Sequence, residues 1–170
     1  MKPRLIILSD LWGTEKSEWI GYYIQNLKSK YDIQYYDCCE LGKVDKTTYT
    51  ERSLHIQFVN GGIDTAAQQL LKLEDEAVDI LAFSIGGTIA WKAQILGLKI
   101  RTLHAISSTR LRYETQHPSC KLYLYFGEKD TYSPTPNWCS KMKLEPKLFK
   151  NKAHMFYTEI ECIDEICSPF

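Results

Sequence analysis

The chain has 170 residues, of which 44% are hydrophobic and 25% charged, and its 21 basic residues balance 21 acidic ones. This length suits one domain with a full α/β core, so we expect residues 1–170 to form a single domain. The even charge and the lack of a long apolar run or signal peptide argue against nucleic acid and membrane insertion, and predict a cytoplasmic protein.

The first part of the chain alternates predicted strands and helices. Leu5–Leu8 is a continuous apolar strand, and a helix follows from about Glu15 to Lys30 with its apolar side chains on one face. Asp32–Asp37 alternates weakly and predicts a second strand. The segment 38–62 is rich in Lys, Thr and Glu with one apolar patch around Leu54–Val59, and its pattern assigns no element. Ile63–Leu73 has the apolar spacing of a helix.

Residues 78–93, VDILAFSIGGTIAWKA, predict a strand that turns directly into a helix at Ser84. Gly86 and Gly87 leave room for a sharp turn, while Ala82 stands in place of the first glycine of the pattern G-x-S-x-G. Such a turn would expose the serine hydroxyl at the carboxyl edge of the sheet, beside a helix N-terminus that stabilises negative charge. Many α/β proteins turn through Ser and Gly for steric reasons alone, so the motif needs support from the rest of the chain.

Further strands and helices follow in the second half. Ile100–Ile106 and Lys121–Phe126 are predicted strands, and Pro134–Met142 is a short helix. Pro146–Phe149 is a weak strand, and Met155–Ile166 is the last predicted helix. Strands separated by helices predict a three-layer α/β/α sandwich with a mostly parallel sheet. Ligands of such sheets bind beyond the carboxyl ends of the strands.

Side chains able to act together follow three of these strands, in the order serine, acid, histidine. Ser84 follows the first, Asp130 lies in the turn after Lys121–Phe126, and His154 lies in the loop after the weak strand. A hydroxyl is a poor nucleophile unless an imidazole takes its proton, and the imidazole needs a carboxylate to fix its tautomer. The three positions supply those three groups.

These residues resemble the α/β-hydrolase superfamily, whose triad runs in this order. The resemblance covers nearly the whole chain, through LIILSDLWG, LAFSIGGTIAW, LYLYFGEKD and NKAHMFY. It implies an α/β-hydrolase fold in which Ser84 is the nucleophile, Asp130 the acid and His154 the base.

The resemblance also implies an oxyanion hole made of backbone N–H groups. One donor would be Ile85, and the other would come from the loop after the first strand, at Leu11 or Trp12; Trp12 should also border the substrate. Many relatives carry His-Gly where this chain has Ser9-Asp10. A carboxylate there would oppose a developing oxyanion unless Asp10 turns away or is neutralised.

Plainer interpretations exist for each of these residues taken alone. Asp130 could cap the helix that begins near Pro134, Glu128 is a rival acid in the same turn, and His154 could be a loop residue. The pair Cys38-Cys39, at a predicted strand end, could be proposed as a thiol nucleophile, but no activating partner is visible. The other histidines and three tryptophans are interpreted as structural: His55, His104, His117, Trp19, Trp91 and Trp138. The six cysteines lack metal-site spacing and are expected to be free thiols.

The substrate is less defined by the sequence. The connection Ser107–Cys120 is too short for a lid domain, so the resemblance implies a lidless hydrolase with an open site. Such a site suits a small acyl ester or thioester, or an acyl group presented on a carrier, without cofactor or metal. Arg110 and Arg112 could meet an anionic substrate or form a solvated basic loop, and segment 38–62 could fold over the mouth.

Two other functions compete with a serine hydrolase. One is a hydrolase-like fold used as a binding module with a vestigial triad. The other is a flavodoxin-like phosphate binder, which is disfavoured because no phosphate-binding loop follows the first strand.

Overall fold

The computed structural model describes residues 1–170 and is built around one parallel sheet. Its six strands lie in the order β2-β1-β3-β4-β5-β6, and every neighbouring pair is parallel. The parallel sheet was predicted, and it brings the carboxyl ends of all strands to one edge. The strands are β1 (Arg4–Leu8), β2 (Asp32–Tyr36), β3 (Val78–Phe83), β4 (Ile100–Ile106), β5 (Lys121–Gly127) and β6 (Lys147–Phe149).

Seven α-helices cover the sheet on both faces. They are α1 (Ile20–Leu27), α2 (Cys38–Leu41), α3 (Glu51–Gln57), α4 (Ile63–Leu73), α5 (Ile85–Ile95), α6 (Pro136–Met142) and α7 (Ile160–Cys167). Helices α1 and α7 pack on one face, and the buried side chains of α2 to α6 belong to the other. The predicted three-layer α/β/α sandwich is therefore confirmed, and no lid domain covers it.

The strands are apolar because each side chain, whichever face it points to, meets a helix layer. In β1, Ile6 and Leu8 join the core under α2 to α6, whereas Leu5 and Ile7 join the core under α1 and α7. All four side chains are completely buried. This double burial explains why the central strands read as continuous apolar runs rather than alternating patterns.

Two predicted helices are shorter in the structure. The helix expected over residues 15–30 begins only at Ile20, because Gly13–Lys16 forms a 3₁₀ turn and the Ser17 hydroxyl donates to the carbonyl of Thr14. A serine that bonds its own backbone competes with helix formation. The last helix likewise begins at Ile160, after a separate 3₁₀ turn at Phe156–Thr158.

Segment 38–62, to which the sequence pattern assigns no element, is largely helical. Asp37 caps α2 by accepting hydrogen bonds from two backbone N–H groups, and Thr50 caps α3 by accepting from the N–H of Ser53. A kink at Phe58–Gly62, where Gly61 has a φ of 121°, joins α3 to α4. The helices are only four and seven residues long, too short for a visible apolar period.

All six cysteines are free in the structure. Cys38 is fully buried, and burial raises the pKa of its thiol well above the ordinary value. Such a thiol is not activated as a nucleophile. None of the helices has both the length and the apolar character that crossing a membrane requires.

Candidate active site

Ser84 occupies the single-residue turn between β3 and α5. Its φ of 49° and ψ of −118° form a backbone combination that residues with a side chain rarely adopt. The two glycines after it are required by packing. A Cβ on Gly86 would lie 2.6 Å from the carbonyl oxygen of Ser9, and one on Gly87 would lie 1.9 Å from Oγ of Ser108. Small residues therefore let α5 start directly against β1 and the end of β4.

Three residues predicted to act together form one continuous chain of hydrogen bonds. Ser84 Oγ lies 3.0 Å from Nε2 of His154, and Nδ1 of His154 lies 2.9 Å from Oδ2 of Asp130. A carboxylate can only accept, so Nδ1 donates to Asp130 and Nε2 is left to accept the serine hydroxyl. The Asp130 side chain is fully buried, whereas that of His154 is 22% exposed. Only the imidazole and hydroxyl therefore face the solvent side of this edge.

The turn after β5 that carries Asp130, here called the acid turn, also carries the rival carboxyl Glu128. Glu128 accepts a hydrogen bond from the backbone N–H of Asn151 and none from the imidazole. Asn151 belongs to the loop that leads from β6 to His154, here called the histidine loop. Helix α6 is capped by Thr135, so Asp130 is not its cap. Asp130 directs Oδ2 to His154 and accepts the N–H of Tyr132 with Oδ1, at 2.9 Å. Both oxygens are thereby fixed.

Two contacts hold the histidine loop against the strand ends. A Cβ on Gly127 would lie 2.4 Å from the carbonyl oxygen of Lys152, so the glycine allows the acid turn and the histidine loop to touch. Ser107, directly after β4, donates its hydroxyl to the carbonyl oxygen of His154 at 2.6 Å. Sequence reasoning missed Ser107. Its place just beyond a strand was the one available signal.

Of the proposed oxyanion donors, two have free N–H groups. Ile85 is the first residue of α5, so its N–H has no partner within the helix. The N–H of Leu11 makes no backbone or side-chain hydrogen bond. The alternative donor, Trp12, is wrong, because its N–H donates to Oδ1 of Asp10 at 2.9 Å.

Asp10 lies at this same edge of the sheet, where its side chain is buried and both carboxyl oxygens accept hydrogen bonds. It is 1% exposed, and besides the Trp12 contact its Oδ2 accepts the hydroxyl of Tyr157 at 3.0 Å. Burial raises the pKa of the Asp10 carboxyl to about 6, although both hydrogen bonds and a His154 charge would lower it. Burial also raises the pKa of the Tyr157 phenol, so the phenol remains a donor. The carboxyl that the sequence places beside the oxyanion loop is thus buried with both oxygens hydrogen-bonded, and it takes up a proton below about pH 6.

A cavity of about 530 Å³ opens over Ser84 and His154. Its walls come from the loop after β1, helix α3, the connection after β4, the acid turn and the histidine loop. The lining residues are Asp10, Leu11, Trp12, Glu51, Arg52, His55, Ser84, Thr109, Arg110, Arg112, Tyr113, Tyr132, His154, Met155 and Tyr157. Segment 38–62 therefore supplies a wall through α3. His55, which the sequence analysis interpreted as structural, lines the cavity.

Trp12 lines the cavity from the loop after β1, where the sequence analysis expected it. Its ring meets that of Tyr49 at 5.4 Å, and the ammonium of Lys16 lies 3.8 Å from the ring centre. The Tyr49 hydroxyl donates to the carbonyl of Trp12 at 2.7 Å. Aromatic and cation–π contacts thus hold this wall in place.

One group of potential metal ligands lies outside the cavity. Glu159, Glu161 and Cys162 have ligand atoms within 4.8 Å of one another. The ammonium of Lys152 pairs with both carboxylates, including Glu161 at 2.7 Å. The chain's own lysine therefore balances this acidic cluster.

No protein-family model matches the sequence, and no curated protein matches it. Solved structures do. A protein from Xanthomonas campestris pv. campestris assigned to the α/β superfamily of hydrolases superposes with a TM-score of 0.69 at 11% identity, covering 99% of this chain and 97% of that one. An α/β hydrolase from a sediment metagenome of the Mar Chica lagoon, Morocco, gives 0.67 at 14% identity, covering 98% and 89%. A carboxylesterase from Bacillus subtilis gives 0.60 at 13% identity, covering 96% and 81%. The chain has the α/β-hydrolase fold, as its four motifs predicted.

Proposed function

We propose that this protein is a serine hydrolase that cleaves a carboxylic ester or thioester through an acyl-enzyme on Ser84. The observation that carries the proposal is the hydrogen-bond chain from Ser84 through His154 to Asp130, at the carboxyl edge of the sheet and open to a cavity. Each group is oriented as nucleophilic catalysis requires, since the imidazole can accept the serine proton while the carboxylate holds its other nitrogen.

In the first half-reaction, Ser84 Oγ bonds to the carbonyl carbon and its proton passes to Nε2 of His154. The carbonyl oxygen becomes an oxyanion, which the free N–H groups of Ile85 and Leu11 stabilise. Preorganised donors of this kind each lower the barrier by about 3 kcal/mol. His154 then gives its proton to the leaving alcohol or thiol, and the carbon–oxygen or carbon–sulfur bond breaks.

In the second half-reaction, a water molecule attacks the acyl-enzyme. His154 Nε2 takes a proton from the water as its oxygen bonds to the acyl carbon. Collapse of the second oxyanion returns that proton to Ser84 Oγ and releases a carboxylic acid. Throughout, Asp130 accepts from Nδ1 and stabilises the imidazolium.

The fold and the cavity support this chemistry over other classes. Carboxylesterases are among the solved structures that share the fold, such as the Bacillus subtilis carboxylesterase. A volume of about 530 Å³ suits a small ester or thioester, or the acyl end of a carrier-bound one. The proposal treats residues 1–170 as one catalytic domain and invokes no metal or cofactor.

A fluorophosphonate probe tests the proposal directly, because it forms a covalent bond with an activated serine. Wild-type protein should be labelled, and Ser84→Ala should lose the label and about 10⁴-fold or more of its ester hydrolysis. Ser140→Ala, on the exposed surface of α6, is the matched control and should behave as wild type. Labelling that survives Ser84→Ala would remove Ser84 from its role. A folded wild-type protein that neither labels nor hydrolyses esters would favour the binding module instead.

A further inference from the structure

The chain has five arginines, and two of them are neutralised far from the cavity. Arg4 pairs with Glu74 at 2.7 Å, and Arg101 pairs with Asp79 at 2.9 Å. Arg4 begins β1 and Arg101 is the second residue of β4, so both pairs lie at the amino edge of the sheet. These arginines have a structural explanation.

The other three arginines all line the cavity that opens over Ser84. They are Arg52 on α3, and Arg110 and Arg112 in the connection after β4. None of them forms a salt bridge, although the chain has 21 acidic residues with which to make one. Unpaired guanidinium groups that line one cavity favour a function in binding, since their forked N–H donors match carboxylate and phosphate oxygens.

Two of these guanidinium groups are held in place. Arg112 donates Nη1–H to the carbonyl of Tyr132 at 2.9 Å, next to the acid turn. The guanidinium carbons of Arg110 and Arg112 lie 4.6 and 4.8 Å from the ring centre of Tyr113. Both residues are half-buried, whereas a solvated basic loop would expose them. Besides the Tyr132 carbonyl and the Tyr113 hydroxyl, which both contact Arg112, these guanidinium groups make no hydrogen bond within the protein.

The positive charge acts across the cavity. His55 on α3 has its pKa lowered, first by burial and then by the charge of Arg110, with a smaller effect from Arg112. The acidic groups on the cavity wall are Glu51 and Asp10. Both oxygens of Asp10 are held by the N–H of Trp12 and the hydroxyl of Tyr157, so the three unpaired guanidinium groups outnumber the two carboxyl groups on the cavity wall.

We propose that Arg52, Arg110 and Arg112 form an anion subsite, and that the substrate is an ester or thioester carrying a carboxylate or phosphate group. This rests on the proposed function for the bond that is cleaved at Ser84. Guanidinium forks match carboxylate and phosphate oxygens and can bind them with two parallel hydrogen bonds. The subsite would hold the charged end of the substrate while its carbonyl meets Ser84 Oγ.

Two pairs of small ligands test the subsite, and the members of each pair differ at a single group, which is anionic in one member and neutral in the other. Monomethyl succinate is compared with dimethyl succinate, and S-acetyl phosphopantetheine with S-acetyl pantetheine. Binding is measured by calorimetry on the Ser84→Ala protein, so that it does not depend on catalysis. We expect the anionic member of at least one pair to bind about tenfold tighter or more. The pair that shows the preference distinguishes a carboxylate from a phosphate substrate.

Arginine variants assign the preference to the subsite. Arg52→Gln, Arg110→Gln and Arg112→Gln, each added to Ser84→Ala, should weaken binding of the anionic ligand by about tenfold and leave the neutral one unchanged. Lys72→Gln, an exposed cation of α4 outside the cavity, is the matched control and should change neither. Equal binding of charged and neutral members in both pairs, or equal loss of both in the variants, would overturn the subsite.

The two proposals fail in different ways. If the wild-type protein labels with fluorophosphonate but Ser84→Ala shows no charge preference, the hydrolase stands and the anion subsite is wrong. If charge-dependent binding is present but labelling is absent, the subsite stands as a binding site and the hydrolase is wrong. In the wild-type enzyme, the arginine variants should raise KM for the anionic ester, whereas Lys72→Gln should leave KM and kcat for both esters within about twofold.

Discussion

At Asp130, whose carboxylate is fully buried, one substitution changes the chemistry of the side chain without changing its packing. Asp130→Asn keeps the size of the side chain, but an amide that donates to Nδ1 would force His154 into the tautomer that cannot accept from Ser84. We expect ester hydrolysis to fall by about 10³- to 10⁴-fold with the protein still folded. Steady-state kinetics beside a circular dichroism spectrum would measure this.

Glu128→Gln is the matched control for that variant, because the same turn carries this second carboxyl, which contacts only the backbone of the histidine loop. Its activity should stay near the wild-type value. A larger loss in Glu128→Gln than in Asp130→Asn would reassign the acid.

Asp10 predicts a dependence of stability on pH. Its pKa is about 6 in the folded protein against an ordinary value of 3.8, so the native state holds this proton more tightly than the unfolded chain does. Stability must therefore fall as pH rises from about 4 to 6, and then level off. At about 1.4 kcal/mol per pKa unit, the total is about 3 kcal/mol. Asp10→Asn should lack this fall, so its advantage over wild type should grow with pH.

Urea unfolding at several pH values between 4 and 7.5 would measure the difference. Asp164→Asn, an exposed carboxyl on α7, is the control and should follow the wild-type curve. Parallel stability curves for wild type and Asp10→Asn would contradict the shift.

At this scale the sequence predicted the residues proposed to react better than those that support them. Ser84, Asp130 and His154 were singled out because each follows a predicted strand, a strong pattern before Ser84 and Asp130 and a weak one before His154. Ser107 and the partners of Asp10 were not, because a hydrogen bond between residues distant in the chain leaves no local signal. The contact of Tyr157 with Asp10 spans 147 positions.

Among the elements, the start of α5 packs so closely against the end of β1 that it requires glycine at position 86. A methyl group at Gly86 would meet the backbone of Ser9, which cannot move without shifting β1. Gly86→Ala should therefore lower the free energy of unfolding by about 1–3 kcal/mol, measured in urea.

Gly21 in α1 is the matched control, because a Cβ there meets nothing within 4 Å. Gly21→Ala should raise stability by about 0.5–1 kcal/mol, since glycine inside a helix costs conformational entropy. If both substitutions changed stability in the same direction, the steric account of the turn would be wrong.

The elements that could be predicted from the sequence are the longer helices and the strands whose apolar side chains are buried on both faces of the sheet. All six strands were found, and α4 has its predicted bounds. Helices α2 and α3 were not found, because four and seven residues are too few to show a period and their caps lie in a polar segment. For the same reason the sequence could not place Arg52 and His55 on the cavity wall.

Across the whole molecule, a net charge of zero conceals an uneven distribution. The arginines at the amino edge are paired with acids, whereas those at the carboxyl edge are not. Salt should therefore weaken the attraction between the unpaired arginines at the carboxyl edge and an anionic substrate. Raising ionic strength from about 0.01 to 0.5 M shortens the Debye length from about 30 Å to a few ångströms. The kcat/KM of an anionic ester should fall several-fold.

A neutral ester measured in the same buffers is the internal control and should change by less than about twofold. The Arg110→Gln variant should show a shallower salt dependence than wild type with the anionic ester. A steep dependence that persists in the neutral ester would point to an effect on the protein rather than on the substrate's charge.

The groups proposed to react stand at the ends of strands, whereas the arginines stand on a short helix and a surface connection. In the proposed enzyme, chemistry and selectivity are therefore carried by separate parts of the backbone. Grafting a different sequence into the 51–57 helix or the 109–113 connection could redirect the protein to another acyl donor while the bond-breaking apparatus stays intact. The scaffold is thus suited to diversification by loop libraries, with the sheet left untouched.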